Sequence, residues 1–165
     1  MRVTRIWFVA ALGAICAAQA ADAPKQKPGL WEIITSHNGN PSRTLKVCID
    51  EKTADFYLGT ADRMQKACSK LETHVSGSTV TKDAVCKLGD AQQVTTHGVT
   101  TFHGDDAYEA KSQSHWDPPL RGKSDTTTTV TGKWLGETCA TGMKPGDVML
   151  SDGRIISPNI SAQAQ

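Results

Sequence analysis

Cys68 and Cys86 stand nine residues to either side of Gly77, in a stretch that reads CSKLETHVSGSTVTKDAVCK. Ser76-Gly77-Ser78 is a turn signal. Folding the chain back at Gly77 lays Cys68 opposite Cys86, Glu72 opposite Lys82 and Thr73 opposite Thr81. Opposed charges and paired threonines are favourable cross-strand neighbours. Two cysteines facing each other in an antiparallel pair lie within disulfide reach. A two-residue Gly77-Ser78 turn is the competing register. It slips the pairing by one residue and misaligns the cysteines unless a bulge restores them. In either register the segment is a hairpin, and it commits the chain to antiparallel β structure.

A disulfide needs an oxidising compartment, and the first residues supply a route to one. Arg2 and Arg5 precede a short apolar run from Ile6 to Ala18, and Ala18-Gln19-Ala20 is a small-x-small cleavage site. That is the pattern of a secretory signal over Met1 to Ala20, too short for a membrane span. Cys16 follows Ile15, a bulky residue where lipid-attachment cysteines follow a small one. Cleavage after Ala20 leaves 145 of the 165 residues, with 16 basic against 17 acidic side chains. This near-neutral balance gives no electrostatic case for nucleic acid or an anionic membrane. Of five cysteines, Cys48, Cys68, Cys86 and Cys139 remain. An even number in an exported chain favours two disulfides. The rival, a four-thiolate zinc site, usually brings C-x-x-C pairs, which are absent. With Cys68 bridged to Cys86, Cys48 pairs with Cys139 and ties an early hairpin to a late strand.

The rest of the chain reads as short strands and turns. Ala21 to Lys27 is polar and aperiodic, a flexible leader. After Pro28-Gly29, Leu30 to Thr35 forms a strand with Trp31, Ile33 and Thr35 on one face. Asn38-Gly39 is a two-residue turn, and Arg43 to Ile49 returns with Leu45, Val47 and Ile49 on one face and Cys48 on the other. Asp50 can cap a helix, and Ala54, Tyr57, Leu58, Ala61, Met64 and Ala67 form an apolar stripe at helical spacing. One amphipathic helix is therefore expected near Glu51 to Lys66. Gln92 to Thr96 and Val99 to His103 flank a turn at His97-Gly98, and Tyr108 to Trp116 ends at Asp117-Pro118-Pro119. Thr126 to Trp134 is threonine-rich and β-prone, a polar face or an edge open to peptide addition. Asp152-Gly153 centres a last hairpin, and Ser157 to Gln165 reads as a disordered tail. The fold expected over residues 28–156 is one mainly β domain: a single antiparallel meander sheet, curved or partly closed into a barrel, with one helix packed on it.

Together, PGLWE at Pro28 to Glu32, Cys48 before the expected acidic helix, the Cys68/Cys86 hairpin and the W-L-G-x-x-C close at Trp134 to Cys139 resemble one family. It is a "domain of unknown function" family of small exported proteobacterial proteins, and the resemblance covers about residues 27 to 139. It implies an extracytoplasmic β-rich domain with bridged cysteines and no assigned activity.

Functional candidates are few. His97, His103 and Asp105 lie close in sequence and are the candidates for a surface zinc or copper site, against scattered solvated histidines. No G-x-S-x-G elbow or S-x-x-K pair marks a nucleophile, so a non-catalytic protein without a cofactor is expected. Trp31 and Trp134 read as core, whereas Trp116, ahead of Asp117-Pro118-Pro119, reads as an exposed recognition residue. The leading expectation is a periplasmic or secreted binding or envelope-associated module. The alternatives are a carrier of a small apolar molecule or lipid, and a metal-binding protein.

Overall fold

Asn38 and Gly39 both adopt positive φ, 50° and 81°, and turn the chain between its first two strands. These are β1 (Gly29–His37) and β2 (Asn40–Ile49). Seven more strands follow: β3 (Cys68–Ser76), β4 (Thr79–Leu88), β5 (Gln92–His103), β6 (Ala107–Leu120), β7 (Lys123–Gly136), β8 (Val148–Met149) and β9 (Ile155–Ile156). The computed structural model describes residues 24–54, 67–89 and 91–157, and every element there is a strand. Of the helix expected near Glu51 to Lys66, Glu51 to Thr53 form a turn and residues 55–66 lie outside the described residues. So do the expected signal and all of the tail beyond Ser157. The turn leading into that segment is described. Asp50 Oδ1 accepts from the amides of Lys52 (3.1 Å) and Thr53 (2.9 Å) and from the Thr53 hydroxyl. Burial raises the Asp50 pKa, but these hydrogen bonds outweigh it and the net shift is downward.

All neighbours pair antiparallel in one nine-stranded sheet, ordered β3-β4-β5-β6-β7-β1-β2-β8-β9. Two expectations are corrected here. The sheet is not closed into a barrel: β3 and β9 form its two ends. Nor is it a simple meander, because β1 joins β7 and leaves β2 and β3 six positions apart. The physical reason is tryptophan packing. Trp31 on β1 faces Trp134 on β7 and Val47 on β2, and its side chain is 0% exposed.

The PGLWE opening now has a structural account. The Trp31 indole Nε1 donates to the carbonyl of Lys27 (2.8 Å), and the Trp134 indole Nε1 donates to that of Pro28 (3.0 Å). Gly29, at φ 130°, packs so closely against the Gly136 carbonyl that a Cβ has no room. The expected flexible leader is therefore tied down at its end. Lys27 pairs with Asp105 (3.0 Å), its ammonium lies 4.9 Å from the Trp134 ring centre, and Gln26 is buried.

The expected faces of β1 and β2 hold, since Trp31 pairs with Val47 and Ile33 with Leu45. Trp31, Ile33, Val47, Ile49, Val80, Phe102 and Tyr108 make the main core on one face of the sheet. A second cluster on that face gathers Ala84, Cys86 and Val94, with Cys68, Leu71 and Trp116 packed against it. Between them runs a hydroxyl belt that includes the Thr96–Ser114 hydrogen bond (2.9 Å). Burial pushes the Tyr108 pKa from 10.0 up to about 12, with Gln26 beside its hydroxyl opposing the rise. A raised phenol contributes stability that is complete below pH 10 and is lost as pH climbs toward 12. Ultraviolet titration of the native protein is expected to show a late phenolate step, absent from Tyr108→Phe. A late step that survives the substitution contradicts this burial.

Candidate functional site

Two disulfides brace the sheet at positions far apart in sequence. Cys68 is bonded to Cys86, and Cys48 to Cys139. The first bridge forms in the competing register, not the one that sets Glu72 against Lys82. Glu72 faces Asp83 and Thr73 faces Lys82, and a bulge between Cys68 and Lys70 brings the cysteines level again. The like charges at Glu72 and Asp83 each have a partner: Lys70 lies 3.2 Å from Glu72, and the His97 ring is hydrogen-bonded to Asp83. The second bridge fastens the chain after β7 to the face of β2 opposite Trp31. From there the chain reaches the outer edge of β2, where Cys48 donates to the Asp147 carbonyl (3.0 Å) and Gly146 to the Cys48 carbonyl (2.8 Å). The Asp147 carboxylate accepts from the Ser157 hydroxyl and the Lys144 amide, and both hold its pKa down.

His97 and Gly98 do not form a turn. The His97-Gly98 pair is flanked by β-prone Thr96 and Val99, and Gly98 pairs with Lys82 on one side and Ser112 on the other, so β5 runs unbroken. This continuity separates the proposed metal ligands. His97 and His103 lie six residues apart on one strand, about 20 Å at ~3.3 Å per residue. Asp105 sits in the following turn and pairs with Lys27. Among the described residues no three histidine, cysteine, aspartate or glutamate side chains converge as a metal centre. Trp116 is corrected too. It is half-buried, packs on the second apolar cluster and donates its indole Nε1 to the Thr126 hydroxyl (2.9 Å).

What the sequence reading missed lies on the opposite, polar face. Strand pairing sets Asp83 (β4) beside His97 (β5), and His115 (β6) beside Asp125 (β7). Each histidine Nδ1 meets its aspartate Oδ1 at 2.8 Å. A carboxylate only accepts, so each Nδ1 carries the proton and donates it, which leaves both Nε2 atoms as acceptors in the neutral rings. The His97 hydrogen bond is the main reason that the Asp83 pKa is lowered. Both imidazoles are more than half exposed, so as ion pairs they add little stability. For the first pair a signal was present: folding the chain back between Leu88 and Gln92 gives the observed β4–β5 register, in which Asp83 faces His97.

The described surface also holds an open depression of about 260 Å³ lined by Lys87, Ala91, Gln92, Gln93, Asp117 and Pro118. Its polar lining does not suit a lipid tail. No helix among the described residues is long and apolar enough to cross a membrane. A family model described as a protein of unknown function (DUF3617) matches residues 26–139. The match opens at the buried Gln26 and closes at the bridged Cys139, so it takes in the tethered leader and both disulfides. Comparison with curated proteins and with solved structures finds no match.

Proposed function

We propose that this chain, which belongs to the DUF3617 family of proteins of unknown function, is an exported, non-catalytic binding or envelope-associated module. The observation that carries the export reading is the pair of disulfides. Such bonds persist outside the reducing cytosol, and Met1 to Ala20 has the composition of a cleavable leader. The binding reading rests on a braced sheet that presents a polar face of paired histidines and aspartates.

Expression of the full chain with its own leader tests this. The expected product is recovered from the periplasmic or secreted fraction, starts at Ala21 and weighs four hydrogens less than its reduced form. Recovery of the uncleaved chain from the cytosol with free thiols overturns the reading. Native mass spectrometry of the exported material then reads out any retained partner or ligand. An enzyme instead reveals itself by turnover that is lost when His97 or His115 is replaced.

A further inference from the structure

The two histidine–aspartate pairs are not independent features of the polar face. His97 faces Gln113, so His115, two residues further along β6, is the diagonal neighbour of His97 on that same face. Diagonal neighbours in an antiparallel pair are about 7–8 Å apart at the backbone, within reach of long side chains. The aspartates lie on the outer sides: Asp83 on β4 beyond His97, and Asp125 on β7 beyond His115. The order across the sheet is therefore aspartate, histidine, histidine, aspartate. Each Nδ1 meets its own carboxylate at 2.8 Å, on the strand outside the β5–β6 pair, which leaves Nε2 as the acceptor of each neutral ring.

This is the outer-shell arrangement that metal-binding histidines use, where a carboxylate on one ring nitrogen fixes the tautomer and raises the basicity of the other. We propose that His97 and His115 bind one borderline divalent transition-metal ion through their Nε2 atoms, with Asp83 and Asp125 as orienting partners and water completing the shell. Metal–nitrogen bonds of about 2.0–2.1 Å require the two Nε2 atoms to close to roughly 3–4 Å, so each ring must shift together with the aspartate that holds its Nδ1. Two imidazoles favour copper(II) over the other divalent first-row ions by the Irving–Williams order. The site goes beyond the export reading and does not depend on it.

Copper(II) is the probe. Titration of the purified, disulfide-bonded protein is expected to show one equivalent bound, with an electron paramagnetic resonance spectrum showing two coordinated imidazole nitrogens. His97→Gln and His115→Gln each remove one nitrogen from that spectrum and weaken binding by more than tenfold. Asp83→Asn and Asp125→Asn keep both nitrogens but weaken binding by about tenfold. His103→Gln leaves affinity and spectrum unchanged. Four of these side chains are exposed and Asp83 is half-buried, so circular dichroism and thermal unfolding are expected to match the parent protein. The proposal is overturned if copper does not bind, or if it binds with the same affinity and spectrum when both His97 and His115 are replaced.

Discussion

Replacing Cys48 and Cys139 together with alanine is expected to lower the folding free energy by about 4 to 5 kcal/mol, the largest loss from a change outside the aromatic core. The bridge closes a loop of 91 residues, and its loss releases that loop in the unfolded chain. The same argument gives about 3 kcal/mol for the Cys68–Cys86 bridge, whose separation is 18 residues. The native state adds a local reason for the difference. Between β7 and β8 no described strand holds the chain, and β8 is only two residues long. It meets β2 through two residue pairs, Lys46 with Met149 and Val47 with Val148. Without the bridge to the buried Cys48, this flap depends on those pairs and on the Asp147 hydrogen bonds. Urea unfolding of both double variants measures the ranking, and hydrogen exchange at Val148 and Met149 locates it. If loss of the Cys48–Cys139 bridge destabilises less than loss of the Cys68–Cys86 bridge, or leaves β8 as protected as before, the staple does not hold the flap.

How far the sequence specified this molecule depends on the range of each interaction. Local signals were readable. Asn38-Gly39 and Asp152-Gly153 both mark turns, and Trp31, Ile33, Leu45 and Val47 fall on the expected face. The bridge between Cys68 and Cys86 followed from a turn centre, although the turn chosen by Gly77 slips the register and a bulge repairs it. His97-Gly98 misled because glycine punctuates many turns. Here no positive φ is needed, and strands on both sides supply enough backbone partners to carry β5 through. The β1–β7 pairing joins strands about a hundred residues apart, and no local propensity encodes it. It follows only once Trp31 and Trp134 are seen to share one core and to hang their indoles on Lys27 and Pro28. The histidine–aspartate pairs were hidden by local misreadings: a wrong turn placed His97 in a loop, and Asp125, the partner of His115, fell just before the strand expected from Thr126.

Gly132→Ala, a gain of one methyl group, is expected to cost about 3 kcal/mol, the upper end of the usual cost of overpacking a core. Gly132 lies on β7 directly opposite Tyr108 on β6, and one edge of the tyrosine ring comes against it. A Cβ there would overlap Cε1 and Cζ of that edge, with Cδ1 2.7 Å away. The backbone at this position is not in the positive-φ region, so alanine meets no conformational penalty of its own. The whole effect must come from the ring. Tyr108 cannot yield cheaply, because it touches Phe102 and Trp31 at centroid distances of 5.9 and 5.8 Å and is only 5% exposed. Displacing it opens the core between β5, β6 and β1 and moves the phenol toward water. The late phenolate step should then fall back toward 10. A double-mutant cycle separates this account from a general intolerance of β7. In a Tyr108→Ala background the added methyl has open space, and Gly132→Ala should become nearly neutral. If Gly132→Ala costs the same with and without the tyrosine, the ring is not what reserves this position for glycine.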